Sequence, residues 1–449
     1  MLGIVVSRAD EASVAIGEQL RAVEEWERTE DRTRPDADGG GTVYRTEGAT
    51  LREFEEWHLE LDRPAEAFDE PELVVFASRH SGETGPLLTA HHTGNFGPAE
   101  FGGEDNALAR ACPNAHAAVL DSLAAHAPEG YDVGMECTHH GPTDVGAPSM
   151  FVEVGSDEPQ WVDEEAARAV ARAILDLRGV SPDRPARNGD DRRRHLVGLG
   201  GGHYAPRFER VCRETDWAIG HIAADWGLEA IDDADRDRVL RRAFEQSAAA
   251  YALVDGDRPD LVAAVEALGY RAVGETWVRE TDGVDPRLVA AAEEELAPVA
   301  AGLRFGDPAR DHEGAEFAVV ELPDALLDEV RGIDREAATG VLEDLTLAFR
   351  TDQGGTRPTG PVAVADASDR EAVVDGFADI LSQHYDSVDR REDRIVARER
   401  GFDPAKAKTL GVPEGPAFGR LASGEPVEVD GRTIPPEEVR TEREAEFEI

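Results

Sequence analysis

Histidines concentrate in three short segments of this chain. Ser78-Arg79-His80-Ser81-Gly82 stands just before Leu88-Thr89-Ala90-His91-His92-Thr93-Gly94-Asn95-Phe96. Glu136-Cys137-Thr138-His139-His140-Gly141-Pro142-Thr143 is the second segment, and Gly200-Gly201-Gly202-His203-Tyr204-Ala205-Pro206 the third. Each mixes titratable, polar and turn-forming residues. Imidazole, with an ordinary pKa of roughly 6.5, moves protons near neutrality, and its neutral form ligates zinc. Either role needs an acceptor behind the working ring, and Glu136 and Glu153 are the nearest carboxylates in sequence. Spacing leaves general base and metal ligand both open, because there is no HExxH pair. Neighbours on a strand point to opposite faces, so only one of His139 and His140 faces a pocket unless the Gly141-Pro142 turn relaxes that geometry. The triple glycine before His203 lets backbone approach a phosphate or a ribose, but without a following GK[ST] a tight turn is an equal reading. Ser81, Ser149 and Ser156 offer no GxSxG elbow, which argues against a serine hydrolase.

These segments sit where strands end. Leu2 to Val6 reads as a buried strand, followed by a loop and a helical pattern from Ser13. Leu73 to Ala77 is a second strand, and Asp132 to Thr138 a third with Glu136 on its second face. Met150, Val152 and Val154 alternate with Phe151 and Glu153, and Asp163 to Arg178 carries apolar residues at helical spacing. Leu196 to Leu199 runs into the glycine turn after a Pro- and Asp-rich loop from Ser181 to Asp191. Strands alternating with helices predict a three-layer α/β/α sandwich with a mixed sheet, whose ligands bind at strand ends. Beyond residue 272 only His312 and His384 remain of 13 histidines. Leu288 to Leu303 reads as a helix there, Phe317 to Leu322 and Pro361 to Ala365 as strands, and the acidic residues from about Arg440 as a frayed end. Two domains are expected, 1–272 and a smaller α+β domain over 273–449.

The chain has 94 acidic and 47 basic residues, a net charge of −47, and only two lysines, Lys406 and Lys408. Hydrophobic residues at 41% exclude disorder as the reason for that charge. The pattern is that of a proteome adapted to molar salt, where the Debye length is roughly 3 Å and local arginines still meet phosphates. Arg192, Arg193 and Arg194 are one such cluster, or else a solvated loop. The three cysteines show no CxxC pairing, which indicates neither a disulfide framework nor a zinc knuckle. With no leader pattern and no stretch near 18 apolar residues, a cytoplasmic monomer without membrane contact is expected.

HSGETGPLLTAHHTGNF, ECTHHGPTDVGAPSMFVEVGS with Trp161, GLGGGHYAPRF and AIGHIAADW resemble the signature blocks of the archaeal and plant D-aminoacyl-tRNA deacylase family. The opening IVVSRADEAS is similar as well, and the resemblance covers roughly residues 1 to 272. It implies hydrolysis of D-aminoacyl-tRNA to free D-amino acid and tRNA, on a fold similar to the phosphorylase and peptidyl-tRNA hydrolase group, with zinc as cofactor. It also implies catalytic roles for His139, His140, His203 and Glu136, and a zinc site drawn from His91, His139, His140, His203 and Glu153. Thr89, Asn95, Gly201, Gly202 and Tyr204 are expected at the substrate. The family pattern has one histidine where this chain has His91 and His92. Gly411 to Leu421 with Gly424 to Val427 is similar to a segment of ribonuclease Z, which implies a surface for the acceptor stem. A zinc peptidase or nucleoside phosphorylase-like enzyme and a non-catalytic tRNA-binding module are the rival readings.

Overall fold

The computed structural model describes residues 1–184, 193–355 and 357–449. Contacts divide the chain into two units, Met1–Asp282 and Gly283–Ile449.

The first unit is built on a mixed eight-stranded sheet. Its strands are β1 (Leu2–Ser7), β2 (Glu27–Asp31), β3 (Gly41–Thr46), β4 (Ala49–Phe54), β5 (Leu73–Arg79), β6 (Leu87–His92), β7 (Asp132–Met135) and β8 (Ser149–Gly155), in the order β2-β3-β4-β1-β5-β8-β6-β7. β1, β4, β5 and β8 run parallel, whereas β6 runs against β8. β1, β5, β6 and β8 are almost wholly buried, so they read as continuous apolar runs and not as an alternating pattern. α1 (Glu11–Val23), α2 (Pro113–His126), the single turn α3 (Glu158–Trp161) and α4 (Glu164–Asp176) follow, with α4 against both α1 and α2. Asp163 caps α4 by accepting from the backbone N–H groups of Glu165 and Ala166.

A second, all-parallel sheet is formed by β9 (His195–Leu199), β10 (Ala218–Ala223), β11 (Tyr251–Val254) and β12 (Arg271–Val273), in the order β10-β9-β11-β12. Between its strands lie α5 (Pro206–Glu214), α6 (Asp225–Ala230), α7 (Arg236–Ser247) and α8 (Pro259–Ala267). α2 packs on both β6 and β10, which brings the end of β9 to the main sheet. β12 and α9 (Glu275–Glu280) belong to this unit, which therefore extends about ten residues past the expected boundary.

The second unit holds an antiparallel four-stranded sheet, order β13-β15-β16-β14, of β13 (Leu303–Phe305), β14 (Ala318–Val320), β15 (Ala348–Asp352) and β16 (Arg357–Val364). The helix expected over 288–303 is shorter: α10 spans Pro286–Glu295, because Pro298 and Gly302, at φ 105°, redirect the chain into β13. The expectation of a frayed end from Arg440 is wrong. Arg440–Glu448 is a strand paired along its full length with Arg394–Phe402 and buries Phe447 in the core of this unit. Its acidic side chains meet cations across the ladder, as Glu444 does with Arg398 and Glu446 with Arg394. The segment likened to ribonuclease Z forms the short helix Pro416–Ala422 beside the Val427–Val429/Arg432–Ile434 hairpin.

Of the arginine cluster, Arg192 lies outside the described residues. Arg193 pairs with Asp183 and Arg194 with Asp216, so these two are engaged by carboxylates and not held out toward phosphate.

Candidate active site

The period-two geometry of two strands sets the floor of the site. Glu153 and Phe151 share one face of β8, and His91 and Thr89 share the same face of β6, in register His91↔Phe151 and Thr89↔Glu153. The His91 ring stacks on Phe151 at 5.2 Å and 14°. His92, one residue on, faces away: its Nδ1 is 3.0 Å from the Gly220 carbonyl and its ring is 4.5 Å from that of His116. Strand alternation alone thus separates the two histidines, and His91 is the one at the site.

β7 ends at Met135, earlier than the expected Thr138, and this resolves the constraint on His139 and His140. The chain after Met135 pairs with the turn after β9 instead: Cys137 N–H donates to the His203 carbonyl, Ala205 N–H to that of Met135, and Glu136 bridges Tyr204. Freed from strand alternation, both histidines line the same cavity, with rings 4.4 Å apart and each about 4.5 Å from His91. Gly94 N–H donates to the His140 carbonyl and fixes this loop to the end of β6.

Glu136 is the electrostatic centre. It is fully buried; His203 Nε2 donates to its Oε2 at 2.9 Å, His139 Nε2 is 3.9 Å from the same oxygen, and His80 Nδ1 lies 3.1 Å from Oε1. Burial pushes the Glu136 carboxyl up, but the hydrogen bonds and charge of His203 and His80 outweigh it and hold it well below the ordinary carboxylate range. The same contact works in reverse on the rings: burial opposes protonation of His80 and His203, and Glu136 nonetheless holds both above the usual imidazole value. Glu153 differs. Burial, with the neighbouring Glu136 charge, raises it well above the usual value. His91 is pushed down to about 4 and His140 to about 3, chiefly by burial, and His139 is lowered well below its usual value for the same reason. These three are neutral imidazoles at neutral pH, the form that ligates metal.

Donor atoms of His91, His139 and His140 lie within 4.8 Å of one another, as do those of His91, Glu136 and Glu153, of His80, Glu136 and His203, and of Cys137, His139 and His203. His91 Nε2 and Glu153 Oε1 are both buried without a hydrogen-bond partner among the described residues and face each other at 3.7 Å. That is too long for a hydrogen bond and suits two ligands of one cation. The donor set therefore fits a metal ion.

A cavity of about 610 Å³ opens onto these groups, with His139, His140, His203, His80 and Glu153 in its wall. His80 was not singled out by sequence as a site residue, although it follows the last residue of β5 within the first histidine segment. Besides its contact with Glu136, its Nε2 hydrogen-bonds the Tyr204 hydroxyl at 2.8 Å. Gly155 makes room for it, since a Cβ there would stand 2.7 Å from the His80 side chain. Tyr204 thus holds His80 in place. Thr89 is wholly buried on the β6 face that carries His91, and Asn95 is buried with its amide donating to the Gly102 and Glu104 carbonyls. Neither lines the cavity, and Asn95 shapes the loop above it. Gly200 and Gly201 take φ 97° and 84°, so the glycine run is a turn that delivers His203. Gly201 and Gly202 are not in the cavity wall either.

A mixed sheet that collects histidines and two carboxylates from four strand ends around one cavity defines an α/β enzyme with a buried proton-handling, metal-capable centre. The family model for D-aminoacyl-tRNA deacylases matches residues 67–273. The chain is 59% identical to the D-aminoacyl-tRNA deacylase of Haloarcula marismortui over 99% of both chains, and 53% identical to that of Natronomonas pharaonis over the whole of both. It is 35% identical to that of Methanoregula boonei over 84% of this chain and 85% of the other, a match that reaches into the second unit. Among solved structures, a conserved protein of unknown function aligns at a TM-score of 0.53 and 28% identity, covering 63% of this chain and 98% of that one. The chain belongs to the D-aminoacyl-tRNA deacylase family.

Proposed function

We propose that this chain hydrolyses the ester of D-aminoacyl-tRNA, releasing free D-amino acid and tRNA, and that residues 1–272 are its catalytic domain. The single observation that carries the reading is the centre around Glu136, a carboxylate buried behind a cavity wall that holds His80, His139, His140 and His203. Family membership over the full length supports D-aminoacyl-tRNA as the substrate class.

Water adds to the ester carbonyl carbon, the bond from that carbon to the ribose oxygen breaks, and the ribose oxygen takes a proton. Glu136, ionised and hydrogen-bonded to His203, is the base to which the proton of the attacking water passes. His203, raised by Glu136 and partly open to the cavity, delivers a proton to the departing oxygen. His80 keeps Glu136 in place and balances its charge. His91, His139, His140 and Glu153 are the residues that would hold zinc. Bound there, zinc supplies a positive charge that favours hydroxide over water near neutral pH and stabilises the oxyanion. Discrimination of D from L comes from geometry, since the two side chains are equal in size.

The reading includes a sheet of the phosphorylase and peptidyl-tRNA hydrolase kind, and a monomer working in the cytoplasm. No helix among the described residues is long and apolar enough to cross a membrane. The test is release of labelled D-tyrosine and L-tyrosine from their tRNA esters in molar potassium chloride. Rapid release of the D-form alone is expected; release of neither by folded, zinc-loaded protein overturns the proposal.

A further inference from the structure

Six large apolar side chains are exposed among the described residues, and three of them stand at the mouth of this one cavity. Trp57, Phe101 and Trp226 are 37%, 60% and 47% exposed and line it with His139, His140 and His203. A surface this rich in carboxylates gains nothing by leaving aromatic faces in water, and clustered exposure of this kind marks a binding surface. Arg79 lines the same mouth. Its guanidinium carbon is 4.7 Å from the ring centres of both Trp57 and Trp161, and its backbone N–H is held by Asp10. Among the described residues no acceptor meets its guanidinium, although acidic residues outnumber basic ones two to one. Stacked between two indoles, the planar fork is fixed in orientation with its donors at the edge, an anion receptor that salt-screened net charge does not weaken.

We propose that the mouth of the cavity holds the 3′-terminal nucleotides of the substrate, Arg79 taking a backbone phosphate while Trp226 and Phe101 stack on bases. This rests on the deacylase reading. An ester on the terminal ribose that reaches the histidines leaves the adjoining base and phosphate at the mouth. Single-stranded nucleic acid presents the alternation of phosphate and flat base that an arginine between aromatic platforms fits. The volume of about 610 Å³ suits an aminoacyl-nucleotide and not a duplex, so the paired stem stays outside. With the chain at −47, affinity comes from stacking and one phosphate contact, and it depends weakly on salt.

The test uses the full chain and an unacylated single-stranded RNA ending in CCA, followed by tryptophan fluorescence in molar potassium chloride. Saturable quenching is expected, with roughly 10-fold weaker binding in Trp226→Ala and in Phe101→Ala. Arg79→Gln weakens binding similarly and removes a salt slope of about −0.7, the value for one phosphate on a single strand. Arg79→Lys does not restore affinity, because an ammonium cannot stack. In turnover of D-tyrosyl-tRNA these changes raise KM and leave kcat within about threefold. Equal binding of the RNA by wild type and variants, or no saturable binding, overturns the assignment while hydrolysis by wild type keeps the deacylase reading. An Arg79→Gln defect confined to D-aspartyl esters overturns it also, by giving Arg79 to the amino-acid side chain. RNA binding without hydrolysis by wild type upholds the nucleotide subsite and overturns the deacylase reading.

Discussion

Glu136 and His203 stand 67 positions apart and share a 2.9 Å hydrogen bond, with His203 Nε2 donating to a carboxylate oxygen. The same buried carboxylate faces His80 at 3.1 Å, so one charge governs two imidazoles. In Glu136→Gln both rings lose the influence that raises them, and their pKa values fall below the ordinary 6.5. The expected loss in kcat is about 10²- to 10⁴-fold, the range for removing a general base. Histidine NMR titration and single-turnover rates check it; a rate within threefold of wild type removes Glu136 from the mechanism.

The pH dependence of stability follows from the two classes of histidine. His58, His91 and His140 are held neutral by burial at about 3, 4 and 3. Each folded value lies below the unfolded one, so the folded state binds fewer protons. Stability is full above about pH 6.5 and is lost as pH falls from there toward 3 to 4, with a slope of about 1.4 kcal/mol per pH unit for each ring. His80 and His203 act oppositely: their folded values are raised, so their contribution is present below about 6.5 and lost as pH rises through those folded values. Chemical unfolding of metal-free protein across pH 4 to 8 should show acid loss dominating. A flat profile contradicts the buried neutral assignment.

Gly155 is a positioning residue for His80. A methyl group there would stand 2.7 Å from the His80 side chain, well inside contact distance. Gly155→Ala is expected to displace the ring from Glu136 and Tyr204 and lower kcat about 10-fold with KM little changed, because a displacement of about 1 Å in a catalytic constellation is costly. Unaltered kcat together with an unaltered His80 titration would show that the ring moves without consequence.

Removal of metal should stop turnover and lower the melting temperature. A ligand present at 100 times its Kd stabilises by about 2.7 kcal/mol, and chelation reverses that gain. Zinc should restore both properties in wild type but neither in His91→Ala or Glu153→Gln, whose opposed, unpartnered atoms mark the site. Full activity in protein shown to be metal-free sinks the zinc assignment.

Deleting residues 440–449 should unfold the second unit. β-pairing along all nine residues with Arg394–Phe402 and burial of Phe447 are lost together. Loss of a Phe side chain from a core costs about 3–5 kcal/mol by itself. Calorimetry of the truncated chain should show one transition missing; an unchanged trace would mean that this strand is dispensable.

Sequence alone determined the α/β character, because continuous apolar runs followed by helical spacing leave few other solutions, as at Leu73 to Ala77 and Asp163 to Arg178. The clustered motifs also marked His91, His139, His140, His203, Glu136 and Glu153, which the fold brings close to one another. Strand alternation was enough to divide His91 from His92 once the register with β8 was known. What sequence could not decide was where pairing stops. β7 ends at Met135 because the next residues find partners at His203 and Met135 accepts from Ala205, contacts made across nearly 70 positions. That choice puts both His139 and His140 in one wall and turns Thr89 and Asn95 into support. The role of His80 was hidden for the same reason: only the folded chain brings Glu136, Tyr204 and Gly155 around it. The acidic end was misread because its charge is balanced by arginines on a strand that local sequence does not reveal. Local pattern fixes which residues form elements and which face they show, while long-range pairing energies decide where each element ends and what its last side chains meet.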